Sequence, residues 1–194
     1  MARFSITVSI PIPKDIVERL CHVQLGEHVK FDWRHSLLCH ITLKAIGVGD
    51  HIPGALETWS DTLERELRDQ CPFVVTLNGL GAFPNAIYSQ VISEELISVH
   101  KKLFQVLPSS QPQFENDQYT PHASLAMTSA QTTFSFSGNP TFGSFEVRDI
   151  ELVVWDLENL KDSKVIRMFS LRPKQRLCKR LLGTVVPISR AKDQ

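Results

Sequence analysis

Two short runs place a histidine and a hydroxyl two residues apart. They are His40 and Thr42 in CHITLKAIG, residues 39–47, and His122 and Ser124 in TPHASLAM, residues 120–127. Both runs are apolar enough to be strands. In a strand, residues i and i+2 share a face, so each pair projects together at roughly 7 Å spacing, while Ile41 and Leu43, and Ala123 and Leu125, turn into a core. Lys44 has the parity of His40 and Thr42, which extends that face with a cation. If the two strands meet, two imidazoles, two hydroxyls and a lysine surround one cavity. That set suits a phosphodiester. Thr42, Ser124 and Lys44 would hold the non-bridging oxygens. One imidazole would take a proton from the attacking oxygen and the other would return one to the leaving oxygen, since histidine titrates near working pH. No metal or other cofactor is required, because hydrogen-bond donors and cations can meet the charge.

The coincidence is informative. With 7 His and about 28 Ser plus Thr in the chain, chance supplies roughly 0.2 matches to His-apolar-hydroxyl-apolar, and the sequence holds two. A single such histidine would be read as a core residue satisfied by its neighbours. Beside the motifs, Tyr119 and Phe83 are candidates to stack on a base. Trp33, in FDWRHS, is a candidate rim aromatic. Trp59 and Trp155 read as core. His35 has the opposite parity to His40, and His22, His28, His51 and His100 fall in helices or loops without partners. Cys39 faces away from His40, which argues against a thiol mechanism.

The elements that must position these residues follow from periodicity. RFSITVSIPI alternates Phe4, Ile6, Val8 and Ile10 against polar residues, as a half-buried strand does. Pro13 then opens a helix bearing Ile16, Leu20 and Val23 on one face. The first motif strand spans about 37–46. A second helix is expected near 53–70, with Leu56, Trp59, Leu63 and Leu67 on its apolar face. PFVVTLNGLGAF and AIYSQVI read as strands, and SEELISVHKKLFQVL as a helix capped by Ser93. The second motif strand follows a polar loop. FEVRDIELVVWD and KVIRMFSL are read as one strand each, and 130–144 as a loop without a place. The order is not a clean β-α alternation, so an α+β fold with antiparallel sheets is expected.

Bulk properties bound the rest. The chain has 194 residues, 42% hydrophobic and 22% charged, with no formal net charge, so it can bury a core and makes no whole-chain case for nucleic acid. Residues 172–194 carry seven Lys/Arg and one acid, Asp193. Such a basic tail can follow phosphates or an anionic membrane, or is a solvated surface segment. Cys21, Cys39, Cys71 and Cys178 show no C-x-x-C spacing, which fits free thiols in a reducing cytosol. No run approaches a membrane span, and no signal segment is written at the start. A cytoplasmic monomer with no membrane partner is expected.

The motifs resemble those of the 2H phosphoesterase superfamily, in its 2′-5′ RNA ligase-like, or RNA 2′,3′-cyclic phosphodiesterase, branch. CHITLKAIG is similar to the first motif strand, PFVVTLNGLGAFP to the segment before a Gly-x-Phe-Pro turn, and TPHASLA to the second motif. The separation of 82 residues also suits that branch, and the likeness runs from about residue 3 to 171. It implies a single bilobal domain over 1–171, with two antiparallel sheets facing a central groove and helices outside, followed by a basic extension at 172–194 of unassigned role. It implies His40 and His122 as the catalytic pair and Thr42 and Ser124 as phosphate-holding hydroxyls, acting on RNA ends or nucleotides. Ser124 stands where threonine is commoner, and Met127 where many relatives carry arginine. The expected reaction is metal-independent opening of a 2′,3′-cyclic phosphate to a 2′-phosphate. Cleavage or ligation of 2′-5′ linkages, and a non-catalytic RNA- or nucleotide-binding module, remain open, as does which histidine is the base.

Overall fold

The computed structural model describes residues 3–22, 32–33, 39–84, 86–127 and 139–172, with the side chains of 32, 33 and 127 excepted. The elements run β1 (Phe4–Pro11), α1 (Lys14–Cys21), β2 (Asp32–Trp33), β3 (His40–Gly49), α2 (Leu56–Leu67), β4 (Phe73–Phe83), β5 (Ala86–Ile92), α3 (Glu94–Val106), β6 (His122–Met127), β7 (Thr141–Val147), β8 (Asp149–Asp156) and β9 (Lys164–Ser170). In β1 the even residues Ile6, Val8 and Ile10 are buried in the core, and the odd residues carry Ser5, Thr7 and Ser9 to the other face. Helix α3 starts where expected: the Ser93 hydroxyl accepts the Leu96 amide at 3.3 Å, and Glu94 and Glu95 occupy the first turn, which satisfies an orphan donor and suits the helix dipole. Ile16, Val17 and Leu20 of α1, Leu63 and Leu67 of α2, and Leu96, Val99 and Leu103 of α3 join one core with the strands. No described helix is long and apolar enough to cross a membrane.

The expectation of two separate sheets is corrected. All described strands belong to one antiparallel sheet in the order β7-β4-β5-β6-β3-β1-β8-β9, with β2 added beside β6. The two motif strands are neighbours, joined by a single register pair, Ile41 with Ala123. That pair is a seam between β7, β4, β5 and β6 on one side and β3, β1, β8 and β9 on the other. The sheet must also curl. β7 and β8 lie six strand spacings apart, about 29 Å if the sheet were flat, yet only Arg148 separates them in the chain, and two peptide steps reach less than ~8 Å.

Two further expectations change. The stretch set aside as a loop at 130–144 contains the start of β7, while 128–138 fall outside the described residues. The run 145–156, read as one strand, is broken at Arg148, and its halves pair at opposite ends of the sheet: β7 with β4 and β8 with β1 and β9. The alternation slips there: apolar residues fall on odd positions at Phe145 and Val147 and on even positions at Ile150, Leu152 and Val154, across the polar pair Arg148 and Asp149, which is the periodicity of two strands in succession. Helix α1 crosses to the β7 half, where the Arg19 guanidinium donates to the Phe142 carbonyl at 2.6 Å. Gly143, at φ +122°, makes room for it, since a Cβ there would lie 2.6 Å from Arg19 Nη1.

Candidate active site

The antiparallel register through Ile41 and Ala123 sends those two side chains together into the core, both fully buried. By alternation His40, Thr42, His122 and Ser124 all turn to the opposite face. That face forms a groove of about 710 Å3, and its walls include all four. Ser5 and Thr7 of β1 and Trp155 of β8 close one side. Phe83 and Pro84 close another, and Gln111, Phe114, Gln118 and Tyr119 a third. The fold thus brings the two distant motifs to one groove, whose volume is that of a small-molecule ligand site.

The two histidines are held by different means. His40 Nε2 lies 3.1 Å from the Thr42 hydroxyl, and its ring stacks on Trp155 with centroids 4.4 Å apart at 20°. Trp155 is fixed in turn by donating from Nε1 to Thr7 Oγ1 at 2.7 Å, and Thr7 shares a hydrogen bond with Ser9 at 2.8 Å. His122 donates from Nδ1 to the Thr120 carbonyl at 2.7 Å, so Nε2 is left as the ring's lone-pair nitrogen whenever the ring is neutral. Phe83 and Tyr88 meet the His122 ring edge-on, at 5.0 and 5.4 Å. Burial lowers the His122 pKa from the ordinary 6.5, and the bond to Thr120 only partly opposes it. Desolvation disfavours the charged ring, so His122 is set up to be neutral near neutral pH.

Lys44 departs from its expected role. It borders the groove, but it is 1% exposed and its ammonium pairs with Glu115 Oε2 at 2.6 Å. β3 carries register shifts opposite Ile6/Thr7 and Val8/Ser9, which are bulges, and a bulge breaks the simple parity that put Lys44 beside Thr42. Burial pulls its pKa down, against the hydrogen bond and charge of Glu115. A cation spent on a buried carboxylate is poorly placed to hold a phosphate.

Tyr119 also differs from a stacking platform. One ring face is covered by His100, with centroids 3.7 Å apart at 11°, and its hydroxyl donates to the Thr42 carbonyl at 2.8 Å. Phe83 packs on Tyr88 at 4.4 Å and on His122. His100, expected to lack partners, is fully buried and well partnered: Nδ1 donates to the Leu43 carbonyl at 2.8 Å and Nε2 accepts the Asn116 amide at 2.9 Å. Burial lowers its pKa, which keeps it neutral.

Among the groove residues that sequence reasoning missed are two aromatics, Trp155 and Phe114. Trp155 reads as core, yet it faces the groove; the signal was the polar odd face of β1, whose Ser5 is its register partner. Phe114, 63% exposed in the groove wall, sits in a polar loop that periodicity does not resolve. Cys39 is pushed up to about 12, by burial and then by Cys21, and a thiol so held is no nucleophile. The side chains of Trp33 and Met127, and residues His28, His35 and 173–194, lie outside the described residues. Among the described residues, no group of three His, Cys, Asp or Glu could hold a metal ion.

A family model described as the 2′-5′ RNA ligase superfamily matches residues 13–159. Among solved structures, TT0787 of Thermus thermophilus is 20% identical, with a TM-score of 0.69 over 87% of this chain and 98% of that one. A protein described as a phosphoesterase is 16% identical, with a TM-score of 0.68 over 88% and 99%. E. coli LigT, complexed with 3′-AMP, is 17% identical, with a TM-score of 0.67 over 89% of this chain and 100% of that one. These likenesses establish the fold. No curated protein matches the chain by sequence.

Proposed function

The chain belongs to the 2′-5′ RNA ligase superfamily, of the 2H phosphoesterase type, and we propose that it is a metal-independent phosphodiesterase that opens a 2′,3′-cyclic phosphate on a nucleotide or RNA end to a 2′-phosphate. The observation that carries this reading is the pair of His-x-hydroxyl strands meeting at one seam and opening on one groove. Neutral His122, its Nδ1 proton engaged with Thr120, takes a proton from water at Nε2 as the water oxygen bonds to phosphorus. The bond from phosphorus to O3′ breaks. Protonated His40 gives its proton to O3′, which leaves as the 3′-hydroxyl. Water thus supplies the oxygen gained by the phosphate, and the two imidazoles exchange roles in proton count, to be reset by solvent. The Thr42 and Ser124 hydroxyls donate to the non-bridging oxygens, where charge accumulates in the transition state.

A nucleotide has a second half to place. Phe114 offers an exposed aromatic face in the groove wall, near Gln111 and Gln118 in sequence, and such a face stacks on any base. E. coli LigT, similar in fold, has been captured with 3′-AMP and with ATP, which supports a nucleotide in this groove. The test is a panel of the four nucleoside 2′,3′-cyclic phosphates, 2′-5′ dinucleotides and an oligoribonucleotide with a cyclic end, with product position assigned by phosphorus NMR. A 2′-phosphate product that forms in excess chelator supports the reading. Turnover of 2′-5′ dinucleotides alone, or binding without turnover anywhere in the panel, overturns it.

A further inference from the structure

The backbone hydrogen bonds around the seam form a feature that the two-histidine chemistry does not use. β3 and β6 share only the pair Ile41 and Ala123, so among the described residues the edge of β3 from Thr42 to Ala45 faces no strand on that side. Unpaired buried backbone groups are costly, and here four of them are met by partners from one stretch of chain or from the helix behind it. Tyr119 donates its hydroxyl to the Thr42 carbonyl at 2.8 Å, and His100 donates to the Leu43 carbonyl at 2.8 Å. Glu115 Oε1 accepts the Ala45 amide at 3.1 Å, and the Ser110 amide donates to the Ala45 carbonyl at 3.1 Å. Two consecutive carbonyls, of Thr42 and Leu43, can be met from this side because β3 is bulged here.

The same stretch reaches the second motif. Thr120, next to Tyr119, gives its carbonyl to His122 Nδ1 at 2.7 Å, and Pro121 gives its own to the Val91 amide of β5 at 3.1 Å. Adjacent residues therefore tie the first motif strand and orient the second motif's imidazole. The stretch is itself anchored. Glu115, 6% exposed, pairs with Lys44 and accepts the Ser109 hydroxyl. His100 stacks on Tyr119 and accepts the Asn116 amide.

We propose that residues 109–120 are a strap that sets the spacing of the two catalytic strands across their single-pair seam, with Tyr119 as its principal positioning residue and His100 and Glu115 as its anchors. This rests on the reading of the groove as a phosphodiesterase site. Tyr119 acts through Thr42, so its hydroxyl is worth more to the reaction than to the fold.

The experiment compares the full chain with Tyr119→Phe, which removes one oxygen and keeps the stack on His100, and with Asp61→Asn, a control on α2 outside the strap whose exposed carboxylate lies 3.7 Å from Arg167. Misplacement of catalytic groups by a fraction of an ångström to 1 Å costs up to about 100-fold. Tyr119→Phe is expected to lower kcat about 10-fold or more, leave KM within about twofold and move the melting temperature by only about 2–4 °C, while Asp61→Asn leaves kcat unchanged. A kcat for Tyr119→Phe within about twofold of the parent overturns the proposal, as does an equal fall in the control. If the parent turns over no substrate, the function reading fails separately. The strap is then judged by the His40 and His122 imidazole nitrogen resonances: displacement of both in Tyr119→Phe supports it, and superposition on the parent spectrum overturns it.

Discussion

The two halves of the sheet carry the same two-residue motif and support it in opposite ways. In the β3 half, the supports of His40 include a stacked indole and a hydroxyl, the indole fixed by Thr7. In the β6 half, His122 leans on backbone: one carbonyl sets which nitrogen carries the proton, and aromatic edges only enclose the ring. A ring tied by a carbonyl has a fixed tautomer and, when desolvated, a lowered pKa, which suits the acceptance of a proton. A ring on an aromatic face with a hydroxyl at Nε2 can change charge without losing its support, since an imidazolium is attracted to an indole face. Two closely similar motifs thus acquire distinct supports from their second contacts and, on the proposed reading, distinct roles.

The largest test of that division is loss of each ring. His40→Ala and His122→Ala are each expected to lower kcat by about 10²–10⁴ with the fold retained, as read by circular dichroism. The roles separate by pH. His122 must be neutral to act as base, and its pKa lies below 6.5. The acid limb of kcat/KM, which reports protonation of His122, is therefore expected to lie below pH 6.5, at the lowered pKa. The residual rate of His122→Ala should lack this acid limb, and that of His40→Ala should keep it. An acid limb that survives His122→Ala and vanishes with His40→Ala would reverse the assignment.

A smaller effect is expected from the first hydroxyl. Thr42→Val keeps the shape and removes the oxygen 3.1 Å from His40 Nε2, which also faces the groove. A hydrogen bond to a charged group is worth about 1.5–3 kcal/mol, so kcat/KM should fall about 10- to 100-fold. The corresponding change, Ser124→Ala, removes a groove hydroxyl on the side where His122 is held by backbone, and should cost less. Equal losses would show that the two hydroxyls serve phosphate alone and that His40 does not depend on Thr42.

Much of this site was legible because its determinants are local. Period-two alternation placed His40 with Thr42 and His122 with Ser124, and the helix and strand order followed from apolar spacing and the Ser93 cap. What escaped depends on bulges, on curvature and on long-range pairing. Bulges in β3 turned Lys44 from groove cation to buried partner of Glu115, 71 residues away. The single curled sheet comes from which strands pair, and no window of sequence contains that, whereas the break at Arg148 is written locally as the phase slip between Val147 and Ile150. His100 gave no sign of its role because its partners, Leu43 and Asn116, lie on the neighbouring strand and in the strap. Trp155 was misjudged because a strand that alternates between a core and a lined groove has two half-buried faces, and an aromatic fits either.

The finest test of the comparison is a matched pair of aromatic substitutions. Trp155→Leu removes the face on which His40 stacks and keeps apolar bulk. Aromatic pairs of this kind are worth about 0.5–1.5 kcal/mol beyond area, so kcat/KM should fall about 2- to 10-fold. Phe83→Leu removes an edge contact from His122, whose ring is still tied to Thr120 and still enclosed by Tyr88, so its loss should be smaller than that of Trp155→Leu. The contrast is informative because both changes keep a leucine against a motif histidine and differ in what else holds that ring, Trp155→Leu also freeing a Thr7 hydroxyl that keeps its bond to Ser9. If Phe83→Leu proved as damaging as Trp155→Leu, aromatic enclosure rather than the carbonyl tie would be what orients His122. The two halves would then be alike in support as well as in motif.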